Sequence, residues 1–362
     1  MTKIQFTVAL LITGSIISGA AEPTHRAKKK RAVAGTSGQA AQSGVSYAQR
    51  EDVMLAADDI AARRDLERDW VRQAMSQARY LPQVARLIQP PPSGTAKNWA
   101  LYRSRFIEPI RIRAGVKFWR DNRDSLSRAE KETGVPAEII VGILGIETLY
   151  GQQMGNLRVI DCLTTLAFDF PANHPRAQER SLFFKTELEQ FLSLTHRTGV
   201  DPLTPLGSYA GAMGLPQFMP SSWVRHALDY DGDSRIDLFG SPADAIGSVA
   251  NYLKAFQWQA GMPTHFPVRL DGDKLDLDTL LANDILPTLS VASLTAKGVV
   301  LDGAALRHHG ALALIELQNG NSRSTYVAGT DNFYAITRYN WSSYYAMAVI
   351  ELGQEIARAM IR

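Results

Sequence analysis

The stretch "VPAEIIVGILGIETLYGQQMG", residues 135–155, constrains this chain more than any other. From Ile139 to Ile146 every position is apolar or glycine, and then comes one carboxylate, Glu147. The pattern predicts a helix that begins after Pro136 and stops at Gly151. On that helix Glu147 shares a face with Ile140, Ile143 and Leu144, which lie seven, four and three residues before it. Apolar surroundings disfavour the charged form of the acid. The last turn of a helix carries the negative end of its dipole, which disfavours a carboxylate as well. No basic residue lies within the helix to pair with it. All three influences raise the pKa, and an acid still protonated near neutral pH is what general-acid chemistry needs. A surface glutamate at a frayed helix end, or a buried one bonded to nearby backbone, is the alternative at this point.

The rest of the chain sets the frame for that helix. Its 362 residues allow a sizeable core and more than one subdomain. Lys+Arg number 39 against 36 Asp+Glu, a balance that argues against nucleic acid as a partner. A lone cysteine, Cys162, excludes an intrachain disulfide, and with no histidine motif beside it reads as a small buried hydrophobe. Residues 1–21 read as a signal peptide: Lys3, an apolar run from Phe6 to Ile17, then the small residues of "SGAAEP". Residues 22–50, rich in Ala, Gly, Ser and Lys, read as a flexible linker with "HRAKKKR" a solvated basic patch. No cysteine near the cut is available for a lipid anchor, and no later stretch is apolar enough to span a membrane. Export with so little cysteine points to a bacterial envelope.

From residue 51 helical spacing dominates: a run over 54–81, another from about Phe106 to Glu132, and further helices at 157–168, 180–198, 221–228, 242–256 and 342–360. Within 266–330 the pattern changes, and "ALALIELQNGNSRSTYVAG" alternates around an "NGN" turn, which predicts a hairpin. The expected class is mainly α (α+β). A helical catalytic region spans 51–265, a small β region 266–330, and a C-terminal segment, 331–362, returns to the helical part.

A second stretch bears on chemistry. "GSYAGAMGLPQFMPSSW", residues 207–223, is a loop of small residues that lets backbone approach a ligand closely. Ser208 and Gln217 in it offer hydrogen bonds suited to sugar hydroxyls and amides. A glycine-rich connector packed against a helix is the plainer reading. Tyr150, Tyr209, Tyr252, Tyr339, Tyr344 and Tyr345 supply the aromatic surface that sugar sites use.

Taken with "WALYRSRFIEP", "TTLAFDFP", "DGDSRIDLFGSPADAIGSVANYL" and "FYAITRYNWSSYYAMAVIELG", these stretches make the chain resemble the membrane-bound lytic transglycosylase B family of bacterial murein-degrading enzymes, in its soluble form. The resemblance runs from about residue 55 to the C-terminus. It implies a lysozyme-like helical core with added helical and β parts. It also implies cleavage, without water, of the β-1,4 bond between N-acetylmuramic acid and N-acetylglucosamine, leaving a 1,6-anhydro end. The family's catalytic acid maps to Glu147, and its substrate-contacting residues to Ser208, Gln217, Tyr252, Asn340, Tyr345 and Tyr102. In "FDFPANHPRAQERSLFF" extra residues separate the family's elements, and Arg180 alone lines up before "FF". The partners implied are peptidoglycan glycan strands, with other cell-wall enzymes as further candidates, and the location is the periplasm of a Gram-negative bacterium.

Ordinary glycosidases use two carboxylates. The matched glycan-site stretches offer only Glu147, which suffices if the sugar supplies its own nucleophile through its C6 hydroxyl. A lysozyme-type hydrolase and a catalytically idle glycan-binding scaffold are the competing functions. No organic cofactor is expected. In "DYDGDSRIDLFGSPAD", Asp229, Asp231 and Asp233 have the 1, 3, 5 spacing of an EF-hand loop, with Arg235 at position 7 to offer a backbone carbonyl. Ser234 stands where that motif has glycine and Gly240 where it has glutamate, so Asp244 becomes the later candidate ligand. Asp244 also reads as the capping-box acid of a helix capped by Ser241. A structural calcium or sodium ion is the expectation for this loop.

Overall fold

The helix Ala137–Thr148 is buried at every residue except Glu138, and the other elements are arranged around it. A helix without a polar face is stable only when enclosed. The structure is a computed structural model that describes residues 44–90, 96–273 and 275–361. The expected signal peptide and most of the expected linker lie outside the described residues.

The C-terminal helix, Ser343–Ile361, packs along the central one. Two glycines set how closely. A Cβ at Gly142 would lie 2.3 Å from the carbonyl oxygen of Val349, and one at Gly353 would lie 2.2 Å from that of Glu138. Glycine weakens a helix interior by about 0.5–1 kcal/mol relative to alanine. Here it lets two backbones touch. Helices Pro109–Asp121, Arg123–Thr133 and Pro242–Ala255 complete the enclosure. Val159–Phe168 pairs with the long helix Ala177–Thr198, which also carries the short helix Pro220–His226.

The structure corrects three helix boundaries. The run expected over 54–81 is two helices, Glu51–Arg64 and Arg68–Ser76, because Asp65 takes a left-handed conformation with φ 53° and its N–H closes on Ala61 O. The run expected over 106–132 breaks at Asn122, whose side chain donates to Phe118 O at 2.9 Å. The central helix ends at Thr148, not Gly151: Leu149 and Tyr150 both turn left-handed, with φ of 50° and 56°.

The strand Ser322–Gly329 lies between Ala313–Asn319 and His265–Pro267, antiparallel to both, and the expected "NGN" turn closes the hairpin with Gly320 at φ 61°. Alternation along the strands divides their side chains between two apolar clusters. Ala313, Ile315, Leu317 and Val327 join the main helical core. Leu314, Ala328 and Phe266 join a second cluster with Leu280, Leu294 and Leu301. The hairpin tip docks at the start of the helix Trp99–Phe106, where Gly320 N–H donates to Lys97 O and Asn319 Oδ1 accepts from Ala100 N–H.

Candidate active site

Glu147 closes the central helix, is 7% exposed, and lines a cleft of about 580 Å³. Burial pushes its carboxyl up to about 7, against a smaller downward pull from one hydrogen bond. That bond comes from the C-terminal helix, where Tyr345 Oη donates to Glu147 Oε1 at 2.6 Å. The close helix pairing set by Gly142 and Gly353 is what brings the two side chains together. The other carboxyl oxygen is left to the cleft. Arg111, itself buried, donates through Nη1 to Gly145 O in the last turn of the helix. A cation therefore answers the dipole that sequence reasoning had weighed against the acid, and desolvation remains as the first cause of the raised pKa.

The neighbour of Glu147 joins the helix to the glycine-rich loop. Thr148 Oγ1 donates to Leu215 O at 2.9 Å and accepts from Gly151 N–H at 3.0 Å. Gln217 sits at φ 50°, and its Nε2 donates to Met154 O at 3.1 Å and to Gly214 O at 2.9 Å. Its amide nitrogen is thus held by backbone and its oxygen is left to the cleft wall, which it lines. Tyr252 and Asn340 line the same cleft and are buried. Tyr252 Oη donates to Arg338 O at 2.6 Å.

The remaining expected site residues lie beyond that wall. Ser208 Oγ accepts from Ala212 N–H at 3.1 Å, folding the loop on itself. Tyr345 is 2% exposed, so its observed contact is with the acid. Tyr102 stacks with Trp99 and lies against Tyr344, with ring centroids 6.3 and 5.8 Å away. Its phenol pKa is raised by burial and then by the charge of Glu147, which places it in electrical contact with the acid. Arg180 is buried, with its guanidinium 5.3 Å from the Phe184 ring centroid.

The acidic loop comes together differently from its spacing. Oxygen atoms of Asp229, Asp231 and Asp244 lie within 4.8 Å of one another. Asp233 is not in that group; its Oδ1 accepts the N–H of Arg235 at 2.8 Å, so both residues brace the loop. Asp229 accepts from Gly232, Asp233 and Ser234 N–H groups, and Ser234 takes φ 72° where the EF-hand motif has glycine. Ser241 caps its helix by accepting from Asp244 N–H at 3.2 Å. The reciprocal half of the capping box is absent. Asp244 is wholly buried and accepts from Tyr230 N–H at 2.7 Å and Asp237 N–H at 2.8 Å. Clustered carboxylate oxygens are the donor set a hard cation such as calcium takes, so the residues fit such an ion.

A profile of the family described as "Transglycosylase SLT domain" matches residues 49–354. The chain belongs to this family. It is 39% identical over 329 residues to the membrane-bound lytic murein transglycosylase B of Escherichia coli (strain K12), spanning 89% of this chain and 87% of that protein. The structure of the E. coli lytic transglycosylase Slt35 in complex with calcium superposes with a TM-score of 0.77 at 38% identity, over 88% of this chain and 96% of that one. SltB3 from Pseudomonas aeruginosa, in complex with NAG-anhNAM-pentapeptide, superposes with a TM-score of 0.70 at 29% identity, over 85% and 79%. The mainly helical fold with a lysozyme-like core and small sheets is the fold of this family.

Sequence reasoning missed part of the transglycosylase cleft. Glu187 lines it and is 2% exposed. Its Oε1 accepts from Ser221 Oγ at 2.7 Å and its Oε2 from Ser221 N–H at 2.9 Å. Sequence carried one signal for it, an acid at a position of helical spacing otherwise held by Phe183, Phe184, Leu188 and Phe191. Tyr339 Oη pins the loop by donating to Pro216 O at 2.5 Å, and Arg338 and Trp341 form another part of the wall.

Proposed function

We propose that Glu147 serves as the single general acid and base for non-hydrolytic cleavage of the β-1,4 bond between N-acetylmuramic acid and N-acetylglucosamine. The chain is a peptidoglycan lytic transglycosylase, the activity for which its relatives are named. The observation that carries the residue assignment is a carboxyl held near 7 by burial, with one oxygen bonded to Tyr345 and the other left to the cleft.

Protonated Glu147 donates to the glycosidic oxygen as the bond to C1 breaks. The N-acetyl group of the muramic acid supports the electron-poor C1. Glu147, now a carboxylate stabilised by the Tyr345 hydroxyl, takes the proton of the same sugar's C6 hydroxyl as that oxygen attacks C1. The attack is intramolecular, and proximity replaces an external nucleophile. A pKa near the operating pH suits a group that must give and then take a proton. Gln217, Tyr252 and Asn340 hold the glycan along the cleft, with Ser208 shaping the loop and Tyr102 and Tyr345 adjoining the acid.

In this reading residues 51–265 and 331–362 form the catalytic part, and 266–330 is a β subdomain with its own apolar cluster. The protein acts in the periplasm on glycan strands. Calcium in the 229–244 loop would be held by Asp229, Asp231 and Asp244 and would fix the start of the helix that bears Tyr252.

Glu147→Gln keeps the shape and hydrogen bonding of the side chain and removes the acidic proton. Its turnover of purified murein is expected to fall at least about a hundredfold, with murein binding retained in a pull-down. Mass spectrometry of wild-type products is expected to show anhydro ends, lighter by one water than the reducing ends a hydrolase leaves. A folded Glu147→Gln enzyme within a few-fold of wild type would remove Glu147 from the mechanism.

A further inference from the structure

Two cations line the cleft, Arg225 and Arg338, and among the described residues neither forms an ion pair with an acid. Their situations differ. Arg225 is exposed, donates to Ser221 O at 3.0 Å and to Ser221 Oγ at 2.9 Å, and its charge acts on buried Glu187. Arg338 has no such acid beside it. Its guanidinium carbon lies 5.2 Å from the ring centroid of Phe256, 5.3 Å from that of Trp341 and 5.8 Å from that of Tyr334. Among the described residues the one polar contact of its guanidinium is a long one, Nη1 to Tyr334 Oη at 3.4 Å.

A guanidinium has five N–H donors in a planar fork and never loses its proton. Three aromatic rings pack around this one, so little side-chain freedom remains to be lost when an anion arrives. Its donors are left for a planar two-oxygen acceptor, and a carboxylate matches that fork. The backbone at the same residue is fixed too, because Arg338 O accepts from Tyr252. The cleft's own acids do not meet this need: Glu147 bonds Tyr345 and Glu187 bonds Ser221.

The glycan of the proposed reaction carries carboxylates on its stem peptides and none on the sugar rings once the lactyl group is in amide linkage. We propose that Arg338, on the shelf formed by Phe256, Tyr334 and Trp341, recognises a free carboxylate of the stem peptide and makes the enzyme prefer stem-bearing glycan. The proposal rests on the reading of this cleft as a murein site. Arg338 is a specificity residue in it and not one that moves the proton.

The test compares glycan strands with intact stems against strands stripped of stems by an amidase and then capped as methylamides at the lactyl carboxylates this frees, using wild type, Arg338→Lys and Arg338→Gln in the calcium-supplemented full-length enzyme. Loss of a charge-assisted hydrogen bond predicts that Arg338→Gln raises KM for stem-bearing strands by about tenfold or more, with kcat within a few-fold. KM for stripped strands is expected to be unchanged. Arg338→Lys should recover part of the difference, and wild type acting on strands with amidated stem carboxylates should reproduce the loss. Thermal melting checks that the variants fold. If the two substrates shift by the same factor, or neither shifts, Arg338 only packs its rings and the proposal is overturned. Product masses are read in the same reactions, so a hydrolytic outcome would sink the transglycosylase chemistry separately from the stem preference.

Discussion

The burial of Glu147 has a consequence for stability that is independent of any activity assay. Its carboxyl is held at about 7 in the folded protein against an ordinary value of 4.5. Between those two pH values the folded state keeps a proton that the unfolded chain has released, so stability falls as pH rises through this window. Below 4.5 the cost is absent, and above 7 it is complete. At 1.36 kcal/mol per pH unit, the full cost is roughly 3 kcal/mol. Glutamine cannot ionise and can still accept the Tyr345 hydroxyl. Glu147→Gln is therefore expected to match wild type at pH 4 and to exceed it by roughly 3 kcal/mol at pH 8. Other ionisations are common to both proteins and cancel in the difference. Urea unfolding of both proteins at the two pH values, with equal m-values, measures it. A difference that is the same at both pH values would show that the carboxyl is not desolvated as described.

Other consequences of the geometry are equally open to measurement. Tyr345→Phe removes a donor to the charged form of Glu147, so the acid's pKa rises; the alkaline limb of kcat/KM should move up by about one to two pH units, and a limb that stays or moves down contradicts the bond. Calcium should raise the melting temperature relative to EDTA, by up to about 2.7 kcal/mol of stabilisation at a hundredfold excess over Kd. Asp229→Ala and Asp244→Ala should abolish that rise and Asp233→Ala should leave most of it, whereas equal loss in all three would put Asp233 among the ligands. Gly142→Ala improves helix propensity, but its Cβ would meet Val349 O at 2.3 Å; a net loss of about 1–3 kcal/mol is expected by thermal melting, and a stabilised variant would contradict the close helix pairing.

Glu147 was legible in the sequence because the cause of its raised pKa is local. The apolar run before it already implies burial, and burial is the first cause observed. Its partner was not legible in that way. Tyr345 lies 198 residues further on, and only the packing of two glycine-bearing helices makes it a neighbour. The helix breaks at Asp65 and Asn122 were hidden for a related reason. Partly buried Leu66 follows the first break, so apolar spacing continues through a turn that only backbone conformation reveals. In the acidic loop, spacing favoured Asp233 because it counts positions along the chain. The fold counts distance instead: of the four aspartates the sequence offered, it gathers Asp229, Asp231 and Asp244, the last from the next helix, and leaves Asp233 outside that group.

The second buried acid of the cleft bears directly on how many carboxylates the reaction uses. A base that activates water needs an oxygen free to accept a proton and facing the reacting carbon. Glu187 has both oxygens engaged by Ser221, one accepting from its N–H and one from its hydroxyl, which holds the carboxylate against the loop. Ser221 lies in the first turn of the helix Pro220–His226, so this carboxylate is committed to unpaired donors at a helix start. Burial raises its pKa, against smaller downward pulls from Ser221 and the nearby charge of Arg225. Glu147 is the opposite case, with one oxygen held and the other left to the cleft. Two acids line one cleft, and their hydrogen bonds differ: one braces the "QFMPSS" segment that shapes the cleft, and the other, on the proposed reading, moves the proton. That division supports the proposed single-acid reaction, in which the C6 hydroxyl is the nucleophile and Glu147 alone gives and takes the proton.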